Sequence, residues 1–251
     1  MSAPIALVTG ASSGLGAEFA RQLAQADHDL VLVARDESRL RELAARLHSE
    51  FGAAVEVLPA DLITDDGVAR VSARLAAPGA PISLLVNNAG FGVAESFERS
   101  AAAQENAQLR LLAQTPLELC HAVLPGMLAR GTGRIINVSS VAAFIPRGSY
   151  GAAKAWSVSF SRHAKLQYGP RGIKVTALCP GLVHTEFHAR RGGRLGRVRP
   201  WMWLKAEQVV GSALADNAAN KAVSIPSLRY KVLIGASRWL PDRWVAAAAN
   251  S

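Results

Sequence analysis

The chain has 251 residues, half of them hydrophobic, and its 28 basic and 19 acidic side chains leave a net charge of +9. That length suits one α/β domain, and no segment is polar enough for disorder. No apolar run reaches the roughly 18 residues that a membrane span needs. Met1-Ser2-Ala3-Pro4 lacks the basic start of a signal peptide. Two lone cysteines, Cys120 and Cys179, are no disulfide framework. A cytoplasmic location is expected.

Taken in order, strand-like runs fall at Ile5–Thr9, Leu30–Ala34, Ala54–Leu58, Ile82–Asn87, Arg134–Val138 and Ile173–Leu178, with a weaker one at Val223–Ile225. Several are continuously apolar, as strands covered on both faces are. Helical patterns lie between them at Gly14–Gln25, Glu37–Glu50, Asp65–Ala76, Ala101–Ala129, Tyr150–Tyr168 and Lys205–Ala219. This alternation predicts an α/β fold: right-handed βαβ units in one Rossmann-type, doubly wound parallel sheet of about seven strands. Ligands of such sheets bind beyond the carboxyl ends of the strands. One domain over residues 1–251 is expected, with a substrate flap at about 184–204 and a C-terminal extension at about 226–251.

The loops at those ends carry chemistry. The first strand enters Thr9-Gly10-Ala11-Ser12-Ser13-Gly14-Leu15-Gly16 and then a helix. Glycines there let the backbone bend and approach a pyrophosphate, and the helix N-terminus supplies free N–H groups and partial positive charge. Tyr150 and Lys154 are four apart in a helical stretch, so they share a face. A free phenol has a pKa near 10, and a neighbouring ammonium lowers it toward the working range. By spacing alone such a pair usually marks a solvated helix face.

The Gly-rich turn resembles T-G-x-x-x-G-x-G of the short-chain dehydrogenase/reductase family. Further matches follow in family order: Asp61-Leu62 after the third strand, Asn88-Ala89-Gly90 after the fourth, and Ser139-Ser140 closing the fifth. Tyr150 with Lys154 comes next, then Pro180-Gly181 with Thr185 after the sixth, so six motifs span about 180 residues. The resemblance implies an NAD(P)-dependent oxidoreductase acting on a carbonyl or secondary alcohol. In that reading Tyr150 passes the proton, and Lys154 lowers its pKa and bonds the nicotinamide ribose. Ser140 polarises the substrate oxygen, with Ser139 as a stand-in because the spacing to Tyr150 is two or three residues short of the family's. Cofactor contacts would come from Gly10, Ser12, Ser13, Gly14, Leu15, Gly16, Asp61, Leu62, Asn88, Ala89, Gly90, Pro180, Gly181, Val183 and Thr185, besides Tyr150 and Lys154. No metal is implied.

Arg35 ends the second strand where NAD-preferring members usually carry an acid, and an arginine there suits a 2′-phosphate. NADP(H) is therefore favoured over NAD(H), although Asp36 follows at once and a surface arginine is the plainer reading. The family's fourth catalytic residue, an asparagine, falls at Leu112 here, and Asn106 lies too far along the helix to replace it. One consequence is a catalytically impaired NADP(H)-binding sensor or assembly protein. The other rests on Pro116, which has no N–H for the Leu112 carbonyl and should kink the helix there. In the family the asparagine acts partly through that carbonyl, which holds a relay water.

Phe91, Val93, Phe144, Ile145, Leu182, Phe187, Trp201, Met202 and Trp203 would line the pocket, which suggests a steroid-, terpenoid- or acyl-like substrate; equally, they could anchor the flap. Arg190, Arg191, Arg194, Arg197 and Arg199 sit among Gly192, Gly193, Gly196 and Pro200. That reads as a flap able to attract a phosphate-bearing acyl thioester, and no nucleic-acid motif accompanies it. His184 and His188 have no ligand companions. The run Leu228–Val245 is basic and aromatic; Pro241 favours docking over the pocket or a subunit contact over an interfacial membrane helix. A homodimer or homotetramer follows by analogy only.

Overall fold

The computed structural model describes residues 3–186, 200–237 and 239–245. Phe187, His188, the five flap arginines and Arg238 lie outside them. The strands are β1 Ile5–Thr9, β2 Asp29–Ala34, β3 Val55–Pro59, β4 Ile82–Asn87, β5 Gly133–Val138, β6 Ile173–Leu178 and β7 Val223–Ser224. All pair in parallel, in the order β3-β2-β1-β4-β5-β6-β7. The expected doubly wound sheet is thus present. Its crossover direction reverses between β1 and β4, the place where such sheets open a crevice.

Side chains alternate between two apolar layers. Ala6 and Val8 of β1, with Leu30 and Leu32 of β2, join one cluster; Leu7, Val31 and Val33 join the other. The helices that cover these layers are α1 Gly14–Gln25, α2 Glu37–Phe51, α3 Asp65–Ala76, α4 Ala102–Leu109, α5 Thr115–Arg130, α6 Gly148–Tyr168, α7 Ala206–Ala218 and α8 Leu228–Ser237. Their boundaries follow local chemistry. Asp36 caps α2 by accepting the Arg39 N–H at 3.1 Å, Gly52 ends it in the left-handed region at φ +70°, and the Thr64 hydroxyl caps α3 through the Gly67 N–H.

One expected element is corrected. The helix anticipated over Ala101–Ala129 is two helices joined by a π-helical turn, Arg110–Gln114. Thr115 donates its N–H to the Arg110 carbonyl, five residues back. Pro116 follows with no N–H to restore the ordinary register, so the chain absorbs an extra residue in a wide turn instead of bending sharply. The catalytic-motif helix also begins two residues before Tyr150, at Gly148. The C-terminal run holds a helix from Leu228 to Ser237.

α7 is tied to the sheet by a fully buried Asn217. Its amide donates to the Ile135 carbonyl at 3.1 Å and to Thr176 Oγ1 at 3.1 Å, while its oxygen accepts from Arg134 Nε at 2.7 Å. A buried donor left without its acceptor costs more than an ordinary hydrogen bond. We expect Asn217→Leu to lower unfolding free energy by about 2–4 kcal/mol in urea titrations. Lys221→Ala, which removes only the exposed end of an ion pair with Asp216 at 2.6 Å, should cost less than about 1 kcal/mol.

Candidate active site

The crevice at the switch point is closed at its base by side chains from β1 and the β4 loop. Thr9 Oγ1 accepts the N–H groups of Asn88 at 2.9 Å and Ala89 at 3.0 Å, and the Asn88 amide donates to the Thr9 carbonyl at 2.9 Å and the Gly10 carbonyl at 3.2 Å. Asn88 therefore holds the Gly-rich turn. Thr9 was not among the expected site residues; its place at the turn's first position was the available signal.

The turn itself is built for a close backbone approach. A Cβ on Gly16 would stand 2.1 Å from the Gly10 carbonyl oxygen, and Gly10 and Gly14 hold φ values of +64° and +56°. Only glycine suits these three positions. Ser13 precedes α1 with no side-chain cap bond, so the first N–H groups of α1 face the crevice uncapped by it. Gly14 lies against Thr185, whose Cβ would be 3.2 Å from an added Cβ. The loops after β1 and β6 thus meet over the helix N-terminus, a cradle that fits a dinucleotide pyrophosphate.

At the adenosine end, Arg35 is exposed beyond β2. Asp36 is turned away to its capping role, accepting also the Ser38 hydroxyl at 2.8 Å, and the Arg39 backbone bond is the main cause that lowers its pKa. Asp61 is half-buried and accepts the N–H of Ile63 at 3.1 Å. Leu62 points into the core, 4% exposed, and its carbonyl takes the Thr115 hydroxyl at 2.7 Å.

The chemistry-bearing side chains converge at the ends of β5 and β6. Lys154 is 5% exposed; its Nζ donates to the Val138 carbonyl at 2.6 Å and lies 5.8 Å from the Tyr150 ring centroid. Burial pulls its pKa down to about 8. Cys179, beside it, is pushed up to about 12 by burial and stays a neutral thiol. Ser139 is committed elsewhere, its buried hydroxyl donating to the Lys154 carbonyl at 2.7 Å. Ser140 is only half-buried; its Oγ accepts the Ala142 N–H at 3.1 Å, which leaves its own proton to donate. The turn Val141–Phe144 packs on the first turn of α6 because Gly151 has no side chain: an added Cβ would be 3.0 Å from the Ala142 carbonyl.

Leu112 occupies the place expected for the asparagine. It is 2% exposed, and a Cβ on Gly90 would sit 2.8 Å from its Cδ2 and 3.9 Å from Lys154 Nζ. An apolar side chain and the ammonium therefore both lie against Gly90. Pro180 is buried and its carbonyl accepts the Val141 N–H at 3.0 Å, while Val183, 4% exposed, bridges to Leu204. Gly181 packs under Tyr230 of α8, 2.0 Å from where a Cβ would be, and the Tyr230 hydroxyl accepts from Leu182 N–H and donates to Met202 O. α8 is thus docked against the Pro180-Gly181 loop, a pairing that no local sequence pattern signals.

Residues 4–194 match the family model described as short chain dehydrogenase. The chain belongs to the short-chain dehydrogenase/reductase family. Among solved members, a short-chain dehydrogenase from Sphingobium yanoikuyae in complex with NADPH is 38% identical, with a TM-score of 0.85 and 94% of each chain covered. The bulky-bulky ketone specific alcohol dehydrogenase from Comamonas testosteroni is 33% identical with a TM-score of 0.81, covering 95% of this chain and 93% of that one. Sulfoacetaldehyde reductase 2 of Chromohalobacter salexigens is 35% identical over 194 residues, 75% of this chain and 76% of its own. As a family member the chain is an oxidoreductase of the nicotinamide-binding class.

The buried lysine makes a stability prediction. Unfolded, it titrates near 10.5; folded, near 8. Between these values the unfolded chain holds the extra proton, so raising pH through this window stabilises the native state. The two buried thiols, both pushed up to about 12, act oppositely above pH 9. The readout is therefore the difference in unfolding free energy between wild type and Lys154→Met without nucleotide. It should grow in favour of the wild type from pH 8 to 10.5, at up to about 1.4 kcal/mol per pH unit; a flat difference contradicts it.

Proposed function

We propose that this chain is an NADP(H)-dependent oxidoreductase that works on a carbonyl or secondary alcohol of a bulky, lipophilic molecule. The observation that carries the reading is the buried Lys154 ammonium held beside the Tyr150 ring, with Ser140 on the segment packed against the same helix turn. A bound nicotinamide would supply or accept the hydride. Ser140 would donate a hydrogen bond to the substrate oxygen. Tyr150 would give that oxygen its proton during reduction and take it during oxidation, and Lys154 would stabilise the phenolate that remains. Below about pH 8 the lysine keeps the charge this requires.

Arg35 supports NADP(H). It stands exposed at the end of β2 while the neighbouring Asp36 carboxylate is engaged in capping α2, and a guanidinium matches a 2′-phosphate better than a ribose hydroxyl. Phe91, Val93, Phe144, Ile145, Leu182 and Met202 are half-exposed around the crevice mouth, as an apolar ligand would require. The bulky-ketone specificity named for the Comamonas relative agrees with that lining. The sulfoacetaldehyde reductase resemblance points instead to a small anionic aldehyde, which these side chains would hold poorly. Exposed Leu109, Leu117 and Leu166 on α4, α5 and α6 support the homo-oligomer expected by analogy.

A second reading has its own observation. Leu112 beside Lys154 removes the asparagine side chain, as in a nucleotide-binding protein with impaired turnover. Pro116 supports activity, because it withholds the ordinary i+4 donor from the Leu112 carbonyl, the acceptor that a relay water would use.

NADPH consumption over a panel of bulky ketones, short anionic aldehydes and 3-oxoacyl thioesters separates these readings. We expect turnover with a bulky ketone and its loss by at least about a thousandfold in Tyr150→Phe. NADPH binding without turnover on any substrate would favour the impaired protein. Arg35→Ala should weaken kcat/KM for NADPH about tenfold or more, near the 1.4 kcal/mol of a lost charged contact, with NADH little changed. Pro116→Ala should lower kcat about tenfold while the Kd for NADPH stays within about twofold; equal turnover would remove the carbonyl from the mechanism.

A further inference from the structure

One buried polar cluster at the crevice mouth takes no part in the machinery above. Gln108, 2% exposed on the last turn of α4, accepts the Val93 N–H at 3.0 Å through its Oε1. Its Nε2 donates to Ser149 Oγ at 3.1 Å and to Glu105 Oε2 at 3.3 Å. The Ser149 hydroxyl donates to the same Glu105 oxygen at 2.5 Å, and the other carboxylate oxygen accepts the Ser100 hydroxyl at 2.8 Å. Three separate segments are thereby joined: the loop after β4, α4, and the first turn of α6.

The location gives the cluster its meaning. Burying a glutamine inside a helix is unfavourable unless all its polar atoms are satisfied, and here both ends of the amide are used. The turn it holds needs holding. α6 starts after Arg147, which makes no side-chain cap bond, at Gly148 with φ +60°. First turns have unpaired N–H groups and fray, and Tyr150 is the third residue of this one. Gln108 also lies four residues before Leu112, with the start of the π turn between them.

We propose that Gln108, Glu105 and Ser149 form a positioning clamp that fixes the first turn of α6, and with it the Tyr150 ring, against Lys154 and the Val93 wall of the substrate site. The inference rests on the Tyr150 role assigned under the proposed function. The clamp supplies from one turn away a polar anchorage that Leu112 cannot. It touches no reacting atom.

The test uses the full chain and the variants Ser149→Ala, Ser149→Thr, Gln108→Leu and the double Ser149→Ala/Gln108→Leu. Two measurements are made: kcat, KM and NADPH affinity on a ketone that the wild type reduces, and ultraviolet titration of Tyr150. The chain has three tyrosines, so subtracting the spectrum of each variant's Tyr150→Phe counterpart isolates the one of interest. In Ser149→Ala, kcat should fall about tenfold while the Kd for NADPH stays within about twofold, and Ser149→Thr should recover most of it. The double variant should be no worse than the poorer single one, since the residues act as a unit. The Tyr150 titration midpoint should rise by about half a unit or more in Ser149→Ala as the ring leaves the ammonium.

An unmoved midpoint in folded Ser149→Ala overturns the clamp whether or not the protein turns over. So does kcat within about twofold of wild type, or additive losses in the double variant. If Gln108→Leu does not fold, Ser149→Ala at its half-buried site decides alone. A wild type without turnover whose Tyr150 midpoint still rises in Ser149→Ala keeps the clamp and removes the proposed activity.

Discussion

The functional end of this molecule depends on how the sheet is sewn together where its winding reverses. At a switch point the chains leaving β1 and β4 part in opposite directions, and their last backbone groups lose the neighbours that a ladder would supply. Thr9 and Asn88 make good that loss, one hydroxyl and one amide satisfying four main-chain groups across the gap. The crevice is consequently rigid at its floor. Gly10, Gly14 and Gly16 then keep the space above it clear of side chains, so a ligand meets backbone N–H groups and the N-terminus of α1.

The electrostatics of the site follow from the same crowding. Lys154 is charged at neutral pH although buried, since it retains one close acceptor, the Val138 carbonyl. That arrangement costs stability and makes the ammonium responsive to whatever anion develops beside it. Among the described residues it makes no ion pair, and Cys179 close by is a neutral thiol. The field of the ammonium is therefore directed at the tyrosine and not spent on a fixed counter-ion.

Much of this was legible in the chain. Strands β1, β2 and β4 are largely continuous apolar runs, as a parallel sheet covered on both faces requires, and the Gly-rich turn, Asn88-Ala89-Gly90 and the Tyr150–Lys154 spacing are short-range patterns with a local physical meaning. Ser140 was preferred over Ser139 on family position alone, and the bond that occupies the Ser139 hydroxyl, to the Lys154 carbonyl, joins residues that no local pattern pairs. The π turn was not legible: Pro116 announces a disturbance in the helix, and the chain answers it with a widened turn where a kink was expected. Tyr230 on Gly181 and Gln108 on Ser149 join residues about 50 and 41 positions apart, and neither pair has a periodicity to reveal it.

The π turn also bears on how Leu112 stands where the family resemblance places an asparagine. A wide turn rotates everything before it relative to everything after it, so Gln108 and Leu112 address α6 from a surface that a regular helix would not present. Leu112 fills the volume against Gly90, where Lys154 Nζ also lies. Polar support then has to come from beside that apolar plug, and the only buried side chain on α4 is Gln108. The leucine at 112 and the glutamine one turn earlier are in this sense one arrangement: an apolar side chain packed on Gly90, with the proposed anchorage for the tyrosine's turn placed at Gln108 and Ser149.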